Sequence, residues 1–204
     1  LEKNIQLITI FENEWKYNKE KIKSFLKAKL GIFETRIYAR DCEFREISIK
    51  QYGFFELYHL QGKPSRIERN FGLYYNEELV GCVSYALHHR NNKDIILNRM
   101  VFKSNIQIIG GASKLLKNSI KEMNCDIITW SDNRWSNGNV YNSMFKNTKE
   151  YKADYFYTNF NEYRSKQSMK VPMGINEREY WKELGWTRIY DCGKIKWEYK
   201  KSAI

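Results

Sequence analysis

The chain is poor in the residues that staple or interrupt a fold. Only two of its 204 residues are proline, Pro64 and Pro172, and no stretch reads as a Pro/Gly/Ser linker. Its four cysteines, Cys42, Cys82, Cys125 and Cys192, stand far apart, with no Cys-x-x-Cys pair and no flanking histidine. Structural zinc draws on close ligand pairs, so no metal is expected. A disulfide framework is not expected either in a chain long enough to bury a core of its own. No apolar run approaches the roughly 20 residues of a membrane span, and no basic-then-apolar leader opens the chain. These absences lead to the expectation of a protein of the reducing cytoplasm with no membrane partner.

What is present is a globular composition with a strong positive bias. Hydrophobic residues make up 42% and aromatics 16%, enough for a packed core. Lysine and arginine outnumber aspartate and glutamate 35 to 24, a formal charge of +11 spread along the whole chain. An excess of that size favours polyanions through counterion release, and nucleic acid, DNA before RNA, is the expected partner. Solubility and a lysine-rich coding bias are the plainer account of the same number. Oligomeric state is not legible.

Periodicity predicts alternating strands and helices. Residues 4–11 read as a short buried strand. Trp15, Ile22, Phe25, Leu26 and Leu30 follow at helical spacing, with Gly31 as the stop and lysines on the other face. A short helix is predicted over 50–60. Phe71–Tyr75 and Leu79–Leu87 read as a hairpin around Asn76-Glu77-Glu78, and Ile95–Phe102 as a further strand. Gly110–Met123 is an amphipathic helix with Ala112, Leu115, Leu116, Ile120 and Met123 on one face. Asp126–Ser131 reads as a buried strand, Val140–Phe145 as a short helix and Tyr155–Phe160 as an aromatic strand. A helix over Glu177–Leu184, stopped by Gly185, leads to a hairpin of Thr187–Asp191 and Lys194–Tyr199 turning at Cys192-Gly193. The order implies a mixed α/β sheet with one parallel crossover near 95–131.

Chemistry concentrates in Gln107-Ile108-Ile109-Gly110-Gly111-Ala112-Ser113, between a strand and a helix N-terminus. Glycine there lets a phosphate approach the backbone, and the free N–H groups and helix dipole attract its charge. Glycine-rich helix starts are also common as plain structure. His88-His89 has no later histidine to complete a metal site, and no phosphate-loop or nuclease pattern is present. In 149–170, Tyr155 and Tyr157 alternate with Lys149, Lys152, Arg164 and Lys166. That pattern suits either a nucleic-acid face, with rings on bases and cations on phosphates, or an outer strand with inward tyrosines. Arg134 and Trp135, in the loop before Asn137-Gly138-Asn139, are candidates for the same ligand, or that loop caps the following helix.

The Gln107–Ala112 spacing resembles the acyl-CoA pyrophosphate loop of GNAT-fold N-acetyltransferases, usually Gln/Arg-x-x-Gly-x-Gly/Ala. In that fold a hairpin precedes the strand, loop and helix follow, and the next strand diverges to open a cleft. Phe71–Tyr75, Glu78–Gly81, Leu97-Asn98-Arg99-Met100 and Trp130–Tyr141 are also similar to Mom-type DNA-modification proteins of that fold. They look equally like the domain after the nuclease in phage homing endonucleases of the very-short-patch-repair type, with Ile10-Phe11-Glu12-Asn13-Glu14-Trp15 matching the end of that nuclease. Two departures stand out. Trp130-Ser131-Asp132 replaces the usual Tyr-Ala-Asp, and Val101-Phe102 occupies the place of a cysteine.

The resemblance implies a nuclease remnant or linker over 1–34, a GNAT-like α/β core over 35–170 and a helix–hairpin appendage over 171–204. It implies a DNA-associated homing-endonuclease domain with no nuclease site of its own or, alternatively, a Mom-like base-modifying acyltransferase. In either case the candidate cofactor is acetyl-CoA or a related acyl donor, bound by Gln107, Gly110, Gly111, Ala112 and Ser113. The implied catalytic positions are His59, Arg99, Asp132 and Tyr141. Arg99 would orient a carboxylate or phosphate, Asp132 would take or hold an amino proton, and His59 would act as base or contact. An Arg99–Asp132 ion pair, a capping His59 and a core Tyr141 are the structural alternatives. An ordinary small-molecule or protein N-acetyltransferase is a third reading. An open cleft with Arg99 and Asp132 converging on it would separate an enzyme from a pure binding module.

Overall fold

Asn76 and Glu77 both take positive φ, 49° and 62°, the two-residue geometry whose twist matches that of the strands it joins. They connect β3 and β4 of a structure that contains, in order, α1 (Glu12–Tyr17), α2 (Lys19–Lys29), β1 (Thr35–Tyr38), β2 (Glu43–Ile47), α3 (Tyr52–Tyr58), β3 (Arg69–Tyr75), β4 (Glu78–Leu87), β5 (Ile95–Phe102), β6 (Ile106–Ile109), α4 (Gly111–Met123), β7 (Ile127–Asp132), β8 (Lys146–Tyr151), β9 (Tyr155–Thr158), β10 (Tyr163–Ser165), α5 (Glu177–Glu183), β11 (Thr187–Tyr190) and β12 (Lys194–Tyr199). This computed structural model describes residues 6–89 and 93–201. Glu78, expected in the turn, begins β4, because two left-handed residues already close the hairpin.

Seven strands form the main sheet in the order β2-β3-β4-β5-β7-β12-β8. Neighbours run antiparallel except β5 and β7, the parallel pair expected from the crossover. The crossover helix α4 buries Leu115, Leu116 and Ile120 against Phe71, Leu73, Val83, Tyr85 and Leu97. Each such side chain contributes about 1.5–3 kcal/mol relative to exposure. Tyr85 Oη and Ser119 Oγ meet at 2.7 Å, so this buried hydroxyl pair between helix and sheet is satisfied.

Several expectations are corrected. Residues 6–11 of the expected strand pair with no sheet; they lie along the loop after β7, where Thr9 N donates to Arg134 O at 3.3 Å and Gln6 Nε2 to Trp135 O at 3.1 Å. Residues 4 and 5 lie outside the described residues. The helix expected from Trp15 to Leu30 breaks at Asn18 into α1 and α2, and Trp15 is exposed. Val140–Phe145 supplies only a single 3-10 turn, Asn139–Tyr141. β11 and β12 do not form a hairpin: β11 joins a small sheet, β10-β9-β11, while β12 inserts between β7 and β8. The switch falls at Gly193, where φ is +77° and a Cβ would strike the Tyr151 carbonyl. The segment 171–204, expected as an appendage, therefore supplies a strand inside the main sheet. Among the described residues no helix is long and apolar enough to cross a membrane.

Candidate active site

Only Ile95↔Ile127 and Ile96↔Ile128 pair between β5 and β7. Past them the strands diverge, and a cleft of about 520 Å³ opens in the split. Met100, Val101 and Phe102 of β5 form one wall, and Trp130, Ser131 and Asp132 of β7 the other. Gln107 and Ile108 of β6, Ala112 of α4 and Tyr141 complete the inner surface. The outer side is closed by one face of α2, Lys21, Ser24, Phe25 and Ala28, and by Tyr58 and His59 at the end of α3.

The loop expected to hold an acyl donor is partly strand. Gln107, Ile108 and Ile109 belong to β6, which pairs in parallel with β1 in the register Thr35↔Ile106 to Tyr38↔Ile109. Gly110 then turns the chain at φ +77° and caps α4 without any side-chain hydrogen bond. The first-turn N–H groups of α4 have no partner within the helix, and the positive end of its dipole lies there. Gly111 is buried, and a Cβ on it would come within 2.8 Å of Ile108. Ser113 is exposed, and of the expected loop residues Gln107 and Ala112 reach the cleft wall. An uncapped amide cluster beside a deep apolar cleft fits a diphosphate followed by a long, weakly polar arm.

His59 caps α3, its N–H bonded to Phe55 O, and its Nδ1 accepts the Gln61 N–H at 3.1 Å. A neutral imidazole that accepts at Nδ1 carries its hydrogen on Nε2. Burial, with help from the charges of Arg99 and Lys21, pushes the His59 pKa down from 6.5 to about 3. His59 is therefore a neutral donor, not a strong base.

Arg99 and Asp132 do not converge. Arg99 lies behind the turn that follows α3, donating to Gly62 O at 3.3 Å and Asn98 O at 2.7 Å, and is not part of the cleft wall. Asp132 stands in the wall and takes the Arg134 N–H at 3.0 Å and Arg134 Nη2 at 3.4 Å. Neither the expected convergence nor an Arg99–Asp132 ion pair forms. Tyr141 is buried at the cleft's inner end; burial raises its pKa, opposed by a hydrogen bond with Thr129. Gly138, at φ +77°, places it: a Cβ there would run into the Trp197 ring, and Tyr141 N bonds Gly138 O at 2.9 Å.

The expected nucleic-acid face is largely consumed by packing. Arg134, Trp135 and Tyr157 are only 8%, 7% and 1% exposed. Arg134 is sandwiched between Phe11 and Trp135 and bonded to Glu14. Tyr155 and Tyr157 share the Glu177 carboxylate and stack on Arg188. Lys166 is held by Asp154 and Arg164 by Glu162. Lys149 and Lys152 remain exposed on and beside β8. The inward-tyrosine alternative describes this region.

Sequence reasoning missed the roof. Lys21, Ser24, Phe25 and Ala28 recur at helical spacing, but Lys21 was counted with the solvated lysines. Among the described residues no group of three potential metal ligands occurs.

No protein-family model and no curated protein sequence matches the chain. Among solved structures, a GNAT-family acetyltransferase from Elizabethkingia anophelis with acetyl-CoA bound is 16% identical, with a TM-score of 0.48 over 78% of this chain and 98% of that one. The ribosomal-protein-S18-alanine N-acetyltransferase of Escherichia coli is 12% identical, with a TM-score of 0.46 over 79% and 96%. An acetyltransferase of Bacillus subtilis in complex with CoA is 10% identical, with a TM-score of 0.45 over 78% and 98%. The fold is mixed α/β, with a hairpin, then a strand and helix, then a diverging strand that opens the cleft.

Proposed function

We propose that this protein binds an acyl-CoA in the β5–β7 split and transfers the acyl group to an amine. The observation that carries the reading is the open cleft at the uncapped N-terminus of α4. The amides of Gly111, Ala112 and Ser113 would hold the diphosphate. Gln107 and the β5 edge would hold the arm. Bound there, the donor supplies an acyl group activated as a thioester.

The chain's own residues fill the remaining roles. Asp132 accepts a hydrogen from the incoming amine, and Arg134 keeps that carboxylate oriented. His59 donates its Nε2 hydrogen to a substrate oxygen. Tyr141, kept protonated by burial, holds a proton at Oη beside the reacting end. Phe25, Phe102, Trp130 and Val101 exclude water.

A formal charge of +11 supports a second reading, in which DNA is the partner. A Mom-like modification would use the same cleft with a base as acceptor, whereas a module that only positions DNA has no use for the cleft. Thermal melting with acetyl-CoA and with duplex DNA in parallel separates them. Stabilisation by acetyl-CoA supports acyl transfer; stabilisation by DNA alone supports the positioning module.

A further inference from the structure

A second cavity of about 320 Å³ lies beside the first, bounded by α1, α3 and the turn after His59. The two share a wall of Lys21, Leu60, Gln61 and Trp135. Their chemistry differs. The larger is faced mainly by apolar and aromatic side chains, whereas the smaller is faced by Glu14, Asn18, Lys21, Glu56, Gln61 and Lys63.

The charges around this chamber do not cancel one another equally. Both oxygens of Glu14 are taken by Arg134 Nη1, at 2.9 and 3.1 Å. Glu56 sits at the rim with 56% of its side chain exposed, 3.6 Å from Lys21, and takes the Lys63 backbone N–H at 3.0 Å. The Lys63 ammonium forms no ion pair among the described residues, and Arg99, behind Gly62, has no carboxylate partner among them. The corner is rich in donors and positive.

We propose that the smaller chamber is the acceptor subsite and that it selects a small amine carrying a carboxylate or phosphate. The anionic group is held by Lys21 and Lys63, with Lys21 exchanging Glu56 for the ligand, while the amine reaches past Trp135 to Asp132. This rests on the acyl-transfer reading: the donor enters from the α4 side and leaves this end of the cleft for the acceptor.

The test is calorimetric and has two steps. The protein is first titrated with CoA, which examines the acyl-transfer reading alone; absence of binding removes that reading and this inference with it. The CoA-saturated protein is then titrated with β-alanine, with O-phosphoethanolamine and with propylamine, which has the amine but no anionic group. The expected result is binding of the two amines that carry an anionic group at least about tenfold tighter than propylamine, lost in Lys63→Gln, as one charged contact of this kind is worth about a factor of ten. A carboxylate source and a phosphate source are told apart by which of the two binds tighter. Equal binding of all three amines, binding of none, or binding of duplex DNA alone to the CoA complex overturns the proposal.

Discussion

Arg134 Nη1 lies 2.9 and 3.1 Å from the two carboxylate oxygens of Glu14, joining α1 to the loop after β7 across 120 residues of chain. The same guanidinium reaches Asp132 through Nη2 at 3.4 Å, so one side chain both orients a carboxylate of the cleft and ties down the helices that roof it. The contact is not fully satisfied. Asn13 Oδ1, Asn133 Oδ1, Arg134 Nε and Trp135 Nε1, the buried side-chain atoms without partners among the described residues, all lie in it.

Glu14→Gln removes the charge that balances a nearly buried guanidinium. Stripping one partner from such a pair costs about 3–5 kcal/mol when burial is complete, and about 2 kcal/mol is expected here because Glu14 is partly exposed. Urea denaturation measures the loss. Hydrogen exchange is expected to rise across residues 12–29 more than in α4, because the strap loses its main charged anchor.

His59 makes stability pH-dependent in a defined window. Its folded pKa, about 3, lies below the ordinary 6.5, so between these values the unfolded chain binds the extra proton. Stability is fully present above pH 6.5 and is lost as pH falls toward 3, by at most about 1.4 kcal/mol per unit. Melting temperatures at pH 7.5, 6.0 and 5.0 should fall more steeply for the wild type than for His59→Gln. Parallel slopes would show that the imidazole is not held neutral.

Gly138→Ala forces a Cβ into the Trp197 ring and into a left-handed backbone position. Left-handed strain costs about 1–2 kcal/mol and overpacking about 1–3 kcal/mol more. A drop in melting temperature is expected, together with a change in near-ultraviolet circular dichroism from Trp197 and Tyr141. Gly174→Ala provides the comparison: it too has positive φ, but a Cβ there meets nothing within 4 Å, so only the backbone strain should appear.

The elements legible in the sequence were those fixed by local pattern. β5 matches its expected bounds because its apolar run is bracketed by polar turns, and α4 matches to within one residue because its face repeats at Leu115, Leu116 and Ile120. Long-range pairing was not legible. β6 pairs with β1, some 70 residues upstream, and nothing in Ile106–Ile109 announces that partner. Cys192-Gly193 reads as a hairpin turn, yet the glycine serves a close crossing over Tyr151 between two sheets. For the site, His59, Gln107, Ala112, Asp132 and Tyr141 line the cleft. Arg99 does not, because its guanidinium is drawn to the carbonyls of Gly62 and Asn98. Arg134 and Trp135 read as surface residues because the partners that bury them, Phe11, Glu14 and Phe25, come from the far end of the chain.

In the proposed function an acyl-CoA diphosphate sits on the first turn of α4. Calorimetric titration of acetyl-CoA into the wild type and into Ser113→Asp tests it most directly. Ser113 is exposed, and an aspartate in a helix's first turn stabilises the helix by about 0.3–1 kcal/mol while repelling a bound anion. Saturable binding to the wild type is expected, at least about tenfold weaker in the variant, whose melting temperature is unchanged or raised. Equal affinity for both proteins, or no binding to either, would contradict it.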